Sequence, residues 1–317
     1  MDKEKPAVSV IKLAPVLVER LWGGTWLKEE FGYKTDSDHI GESWIISAHP
    51  SGDCRILNSA YKGQTLSQLY NNRRDLFANE ASDKFPLLIK FIDAKEDLSV
   101  QVHPGDDYAY KHEQQSGKSE SWFILNTKPD ARILIGHSAK NREDLKSMID
   151  LRKWDQLLTY RPLNKGEIIN IPSGTLHAIC SGTSLLEIQQ SSDVTYRLYD
   201  YDRLDKNGHQ RDLHLEKSID VIDVPAQQTS QRTMPEKQAN NSLINLLDTP
   251  HFAVKSLVVN DLYRLDNHKH QYFLLVVLKG SGKIGSLRAK KGNSFVVTSQ
   301  QAKLTLRGNM QIIIATK

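Results

Sequence analysis

The stretch from Asp97 to Pro104 most constrains the fold of this chain. Apolar residues alternate in it with polar ones, in the order Leu98, Ser99, Val100, Gln101, Val102, His103. A period of two is typical of a β-strand with one apolar and one polar face. Because Pro104 cannot continue such a strand, the strand ends beside His103. The polar face either meets bulk water or lines the interior of a barrel, so the stretch predicts a half-buried strand in a β protein.

Short apolar and β-branched runs separated by Gly and Pro recur along the chain, and beyond residue 241 they are closely and regularly spaced. This spacing is typical of a β-sandwich or a closed β-barrel. The run 85–93 is apolar almost throughout, which predicts a central strand. The runs 119–126 and 131–135 flank a turn, which predicts a hairpin.

Three segments have helical spacing instead, namely 65–77, 141–158 and 212–222, and the residues predicted to cap them are Thr65, Asn141 and Asp212. The polar segment 225–241 predicts a linker. The predicted fold is therefore mainly β, with two β-barrels and a few inserted helices. The predicted domains are residues 1–224 and residues 242–317.

Charge and cysteine content narrow the class of protein. The formal net charge is +4 over 317 residues, with Lys and Arg scattered, which argues against a nucleic-acid scaffold and fits a site for a small anion. Cys54 and Cys180 lie outside any C-x-x-C motif, which excludes a cysteine zinc motif and suits a reducing compartment. The charged N-terminus and the absence of a long apolar run predict a cytoplasmic protein without signal peptide or membrane span.

The first predicted barrel contains four residues that could bind a metal. Gln101 and His103 share the polar face of the opening strand, Glu120 begins a later strand, and His177 follows a turn marked by Pro172 and Gly174. Imidazole and carboxylate ligands suit Zn²⁺, with Fe and Mn as competitors. An amide is a weak ligand, and positions for water stay open, so such a site would be catalytic rather than structural.

The run Gly166-x5-Pro172-x-Gly174-x-x-His177 resembles the second motif of the cupin superfamily. Gln-Val-His-Pro, Lys-x-Glu-x-Trp, Pro-x-Gly-x-x-His and Ser-Asp-x-x-x-Arg occur in the order found in type I phosphomannose isomerases, and the chain is most similar to their short bacterial form. The likeness runs from Glu19 to about Ile222. It implies two cupin-type (jelly-roll) barrels and one Zn²⁺ per chain bound by Gln101, His103, Glu120 and His177.

The same resemblance implies interconversion of D-mannose 6-phosphate and D-fructose 6-phosphate, with the small sugar phosphate as partner. It gives Arg197 an essential role and matches Lys118 and Lys90 to pocket lysines. From the residues alone, Arg197 fits either a phosphate or enediolate contact or an ion pair with Asp193 or Asp200.

The residue that transfers the proton is left open among Lys118, Lys90, Glu187 and Asp193, and the phosphate ligand among Arg197, Lys118 and Ser99. We therefore expect Arg197 and Lys118 to be catalytic and Ser99, Lys90, Glu187 and Asp193 to bind substrate. A monomer or weak homo-oligomer is expected, without nucleic-acid or membrane partners.

Two alternatives stay open: another metal-dependent cupin enzyme, such as an iron dioxygenase, and a non-catalytic sugar-phosphate-binding cupin. The second barrel is similar to the first cupin motif at His268-Lys-His270, but the expected carboxylate is replaced by apolar residues. We expect a degenerate barrel without a metal there.

Overall fold

The computed structural model describes residues 9–205, 207–227, 231–233, 238–267 and 269–317. Its elements are mainly β-strands, numbered below in chain order together with the helices. The predicted mainly β fold class is thus confirmed. None of the described helices combines the length and apolar character that crossing a lipid bilayer requires.

The chain groups by internal contacts into two compact units. One contains residues 18–42 and 91–233, and the other contains residues 1–17, 43–90 and 234–317. This grouping differs from the predicted domains because residues 43–90 belong with the C-terminal strands. The predicted boundaries stay a prediction, and residues 228–230 and 234–237 of the predicted linker lie outside the described residues.

Sheet A is a five-stranded antiparallel sheet. Its strands are, in spatial order, β12 (Tyr196–Tyr199), β5 (Val100–Val102), β10 (His177–Ile179), β7 (Arg132–His137) and β8 (Leu158–Pro162). Sheet B has seven strands, in the order β13 (Gln231–Thr233), β9 (Glu167–Ile171), β6 (Glu120–Thr127), β11 (Thr183–Gln190), β4 (Leu87–Ala94), β3 (Ile40–Ile46) and β2 (Val16–Gly24). β4 lies between two strands, as the apolar run predicts.

Sheet C is also seven-stranded. It has the order β1 (Val10–Lys12), β18 (Ser294–Val297), β16 (Phe273–Ile284), β19 (Lys303–Thr316), β15 (Ala253–Asp266) and β14 (Ser242–Asp248), and β17 (Leu287–Lys290) pairs with β16. All the strand pairs given for this sheet are antiparallel. The predicted run of C-terminal strands is confirmed.

The predicted hairpin of residues 119–135 is wrong. β6 pairs with β9 and β11 in sheet B, whereas β7 pairs with β10 and β8 in sheet A. The turn between the two strands therefore carries the chain from one sheet to the other. Alternation and turn residues are the same in both cases, so the local pattern does not distinguish a hairpin from such a crossing.

The described α-helices are α1 (Trp26–Phe31), α2 (Leu66–Asn72), α3 (Asp106–Glu113), α4 (Arg142–Asp150), α5 (Trp154–Leu157) and α6 (Leu215–Val221). Thr65 caps α2 in a capping box with Gln68, as predicted, and Asn141 caps α4. The predicted helix 141–158 is interrupted after Asp150, and α6 is preceded by His214 rather than by Asp212. The sequence patterns did not predict α1 and α3.

Two apolar clusters surround sheet A. Val100 and Val102 of β5 pack with Leu145 and Ile149 of α4 in one cluster. Ile133 and Ile179 of sheet A pack with residues of sheet B in the other, among them Trp122, Ile124, Ile169 and Leu185. The alternation of β5 thus turns its valines toward the helices and Gln101 toward the opposite face.

Candidate metal centre

Three predicted site residues lie in one row across sheet A. His177 on β10 is paired with Gln101 on β5, and Gln101 is paired with Arg197 on β12. Side chains directly opposite each other in antiparallel strands project from the same face of the sheet. The pairing of three strands from distant parts of the sequence therefore places an imidazole, an amide and a guanidinium on one face.

Glu120 comes from sheet B, at the start of β6, and is completely buried. Its Oε2 lies 3.4 Å from the Nε2 of His103, and its Oε1 lies 3.4 Å from the Nε2 of His177. The potential ligand atoms of these three residues all lie within 4.8 Å of one another. They are the group of metal-binding side chains that the described part of the chain brings together.

Backbone carbonyls orient both imidazoles. The Nδ1 of His103 lies 2.8 Å from the carbonyl oxygen of Val194, and the Nδ1 of His177 lies 2.9 Å from that of Thr175. A carbonyl only accepts, so each Nδ1 carries the hydrogen and each Nε2 presents a lone pair toward Glu120. A hydrogen bond from the other ring nitrogen is the usual way in which a metal-binding histidine is held.

Lys118 supplies positive charge to this cluster. Its Nζ is 2.9 Å from Glu120 Oε2 and 2.9 Å from His103 Nε2, and the side chain is buried. The lysine donates to the imidazole nitrogen and forms an ion pair with the carboxylate oxygen. Lys118 and Glu120 thus form a buried ion pair that meets the lone pair of one imidazole.

Burial and charge shift the titration of the cluster. Burial lowers the pKa of His103 to about 3, and the charge of Lys118 acts in the same direction. Burial also lowers the pKa of His177. Burial by itself raises the pKa of Glu120, but the charges of Lys118, His103 and His177 outweigh it and hold the pKa well below its usual range. The centre therefore holds a carboxylate and two neutral imidazoles, the forms that bind a metal.

Gln101 and Ser99 border the cluster. The amide Nε2 of Gln101 lies 3.5 Å from His177 Nε2, and the Ser99 hydroxyl donates to Gln101 Oε1 at 3.3 Å. Ser99 is buried. The structure thus brings the predicted amide next to one imidazole and gives it a hydroxyl partner.

Arg197 lies on the same row, on the edge strand β12 of sheet A. Its Nη1 donates to the carbonyl oxygen of Asp212 at 2.7 Å, and its backbone N–H donates to His214 Nδ1 at 3.1 Å. Asp200 instead forms ion pairs with Arg203 and Arg211, at 2.6 and 2.5 Å. Burial and the positive charge of Arg211 lower the pKa of Arg197.

The other predicted substrate residues differ in their setting. Glu187 is buried on β11, directly opposite Trp122 on β6. Asp193 is exposed in the segment between β11 and β12. Lys90 is buried on β4, with 7% of the residue exposed. Their roles toward substrate stay predictions.

Trp122 is a participant that the sequence analysis gave no role. Its indole N–H lies 3.0 Å from Glu120 Oε1 and 3.1 Å from Glu187 Oε1. A sequence signal exists, since Trp122 follows Glu120 by two residues and so shares its face of the strand. Its second partner comes from β11 and is not predictable from local sequence.

Known proteins resemble this chain in both sequence and fold. A sequence profile described as phosphomannose isomerase type I, catalytic domain, matches residues 10–137. Mannose-6-phosphate isomerase ManA of Bacillus subtilis (strain 168) is 41% identical over 307 residues, which is 95% of this chain and 96% of that protein. The chain belongs to the type I phosphomannose isomerases. It is therefore an enzyme, an isomerase of that family.

Solved structures agree with this assignment. The crystal structure of the mannose 6-phosphate isomerase from Bacillus subtilis superposes with a TM-score of 0.91 at 37% identity, covering 98% of this chain and 100% of that one. A mannose 6-phosphate isomerase described as holo and zinc bound superposes with a TM-score of 0.76 at 16% identity, covering 98% of this chain and 100% of that one, a likeness of fold alone. The predicted cupin-type fold class is confirmed by these neighbours.

Proposed function

We propose that this enzyme interconverts D-mannose 6-phosphate and D-fructose 6-phosphate through an enediol or enediolate, using one Zn²⁺ bound by Gln101, His103, Glu120 and His177. The observation that carries the proposal is the convergence of two neutral imidazoles on one buried carboxylate, beside a lysine and on the same sheet face as an arginine. The similarity of almost the whole chain to a mannose-6-phosphate isomerase of Bacillus subtilis supports mannose 6-phosphate as a substrate.

The donor atoms fit zinc. Zinc bonds of about 2.0–2.1 Å at tetrahedral angles place neighbouring ligand atoms about 3.3–3.4 Å apart. Both Nε2-to-carboxylate separations are 3.4 Å. On the side of the cluster away from Lys118, the Nε2 lone pair of His177 faces Glu120 Oε1, and the two repel each other unless a cation lies between them.

Gln101 fits as the weak fourth ligand. Amide oxygen and nitrogen exchange places when the group turns by half a rotation, and the oxygen is the atom that binds metals. The Ser99 hydroxyl, 3.3 Å from the amide, accepts or donates and so serves either orientation.

The bound zinc supplies Lewis acidity that stabilises negative charge on the sugar oxygens. The protein side chains carry the remaining steps. Lys118 is the buried cation next to the ligand set, and we assign it the stabilisation of negative charge that develops on the sugar oxygens. Arg197 stabilises the developing enediolate or holds the phosphate, because it is the cation on the Gln101 and His177 row.

A coupled assay tests the proposed reaction. Purified enzyme is given mannose 6-phosphate, and fructose 6-phosphate is measured directly. We expect turnover that is lost with EDTA and restored by Zn²⁺. Binding of mannose 6-phosphate without product would favour the non-catalytic binding protein, and iron-dependent oxygen uptake would favour a dioxygenase. Either result would contradict the proposal.

Metal content tests the ligand set separately from activity. Glu120→Ala and His177→Ala are expected to purify with little zinc. Glu167→Ala is the matched control, because Glu167 is also a buried carboxylate but is held by Arg161 and Asn164, at 3.0 and 2.7 Å, and contacts neither imidazole in the described contacts. A Glu120→Ala protein with full zinc content would contradict the proposed centre.

A further inference from the structure

Trp122 joins the candidate metal centre to a second carboxylate. Its indole N–H is shared between Glu120 Oε1 at 3.0 Å and Glu187 Oε1 at 3.1 Å. The side chain is fully buried, and its ring meets the ring of His177 edge-on, with centroids 5.4 Å apart at 77°. One side chain thus contacts two of the three clustered residues.

The two oxygens of Glu120 face different partners. Oε2 faces Lys118 and His103, whereas Oε1 faces Trp122 and His177. Because His177 carries its hydrogen on Nδ1, its Nε2 is not the donor at Oε1. Among the described contacts, the indole N–H is therefore the hydrogen-bond donor that Oε1 meets.

Glu187 accepts a hydrogen bond from the same indole N–H, on the opposite side from Glu120. It is directly opposite Trp122 in the β6–β11 pairing, and it is buried. Two buried acceptor oxygens that approach one N–H repel each other, and the shared donor offsets part of that repulsion. Glu120 and Glu187 therefore meet at one donor.

We propose that Trp122 is a positioning residue for zinc: its indole N–H fixes the rotation of Glu120 and couples that carboxylate to Glu187. This inference rests on the proposed zinc centre. It predicts an effect of the N–H on metal binding itself, beyond the contribution of the ring to packing. A purely structural tryptophan would need only some acceptor for its N–H.

The test removes the N–H and keeps an aromatic ring at position 122. Trp122→Phe, and 3-benzothienylalanine at position 122, which has nearly the shape of tryptophan but sulfur in place of the N–H, are compared with the native enzyme. Zinc dissociation constants are measured by competition with a chromophoric chelator. Loss of a partner that orients a metal ligand weakens metal binding by about 10- to 100-fold, which is the effect expected for both variants.

Trp154→Phe is the matched control. Trp154 is a partly buried tryptophan of the same unit that stacks on Tyr199, and its Nε1 is buried without a hydrogen-bond partner among the described residues. Its replacement is expected to leave zinc binding unchanged. The visible absorption of the cobalt-substituted proteins gives a second readout, which should change for the Trp122 variants and not for Trp154→Phe.

The outcomes separate this inference from the proposed function. If native protein binds zinc tightly, Glu120→Ala loses it, and the benzothienylalanine protein binds zinc as native does, only the role of Trp122 is wrong. If native protein and Glu120→Ala have equal zinc content, the proposed centre itself fails. Should Trp122→Phe not fold, the near-isosteric analogue still decides the matter.

A double-mutant cycle tests the coupling to Glu187. In the Glu187→Gln background, a neutral amide replaces one of the two carboxyl groups that share the donor. We expect removal of the N–H to weaken zinc binding less in that background than in native protein. Equal effects in both backgrounds would overturn the coupling between the two carboxylates.

Discussion

Residues 91–200 and residues 242–317 both form antiparallel sheets, but the two regions bury different kinds of side chain. The first region buries Lys118, Glu120, His103 and His177 in mutual contact. In the second region, the described residues bury no Asp, Glu, Lys, Arg or His. The buried cluster of sheet C consists of apolar side chains such as Leu275, Val277, Phe295 and Ile312.

The second region has charges, but it directs them to solvent. Lys283 on β16 is opposite Arg288 on β17 and Arg307 on β19, and all three are exposed. Residues 267–317 contain no Asp or Glu at all. An excess of Lys and Arg in the sequence therefore does not identify a functional site, because these side chains remain hydrated.

The contrast shows what a buried charge implies. Moving an ionised group out of water is costly unless other charges, hydrogen bonds or a metal compensate for it. Sheet C avoids the cost, as a packed core does. The region around Glu120 retains several ionisable groups at that cost, which is the usual mark of a functional site.

The largest expected effect sharpens the contrast between a buried and an exposed lysine. Lys118→Met should lower kcat by about 10³-fold, because it removes the buried positive charge that stabilises the developing enediolate. Lys279→Met replaces an exposed lysine of sheet C and should leave kcat unchanged. Steady-state kinetics with mannose 6-phosphate, at equal zinc content, measure both. If Lys118→Met had the native kcat, the buried charge of Lys118 would have no role in catalysis.

The next prediction tries to place a charge in the other interior. Val277 is fully buried in the apolar cluster of sheet C. Val277→Asp should lower the free energy of unfolding by about 4 kcal/mol or more, because no partner compensates for the carboxyl group. Val277→Ala, which only removes volume, should cost about 2 kcal/mol. Urea unfolding compares the two, and equal losses would mean that this interior tolerates charge.

The sequence predicted those features of the site that depend on local periodicity. The alternation of residues 98–103 put Gln101 on the face opposite Val100 and Val102, and the structure agrees. A turn at Pro172 and Gly174 was expected before His177, and in the structure the Gly174 N–H donates to the His103 carbonyl at 2.9 Å. Strand alternation and turn chemistry act over a few residues, so they can be predicted from sequence.

Features that depend on distant partners were not predictable in this way. The strands β6 and β7 look like a hairpin locally, yet each has its partners elsewhere in the chain. Helix α3 has one fully buried side chain, Ala109, so it shows no apolar stripe in the sequence. The hydrogen bond from Trp122 to Glu187 needs β6 and β11 side by side.

Acid should weaken the region around Glu120 in the zinc-free protein. The pKa of His103 is lowered from 6.5 to about 3, and that of His177 is lowered as well. Below pH 6.5 the unfolded chain binds protons at these positions that the folded chain does not, so stability falls as pH falls toward the folded pKa. The lowered pKa of Glu120 acts in the same direction below its own ordinary value of 4.5.

Urea unfolding of EDTA-treated protein at pH 7.5, 6 and 5 measures this dependence. Each histidine contributes at most about 1.4 kcal/mol per pH unit. His103→Asn should flatten the pH dependence, whereas His39→Asn, which replaces an exposed histidine, should not. A profile that is unchanged in His103→Asn would mean that the buried imidazole is not held neutral.

The smallest expected effect concerns the exposed charges of sheet C. Like charges directly opposite each other across strands destabilise a sheet by a few tenths of a kcal/mol. Lys283→Gln removes the central charge of the row and should raise the free energy of unfolding by about 0.5 kcal/mol at low salt. The gain should shrink in about 1 M salt, where the screening length is about 3 Å.

Lys303→Gln provides a control of opposite sign, because Lys303 is paired with Asp266 across β19 and β15. Its replacement should lower stability slightly at low salt. Urea unfolding at two salt concentrations distinguishes the two variants. If Lys283→Gln gained nothing at low salt, the exposed cations of this sheet would be separated well enough by water to be energetically silent. The contrast with the buried charges near Glu120 would then be sharper, since this row of exposed like charges would not affect the stability of the sheet.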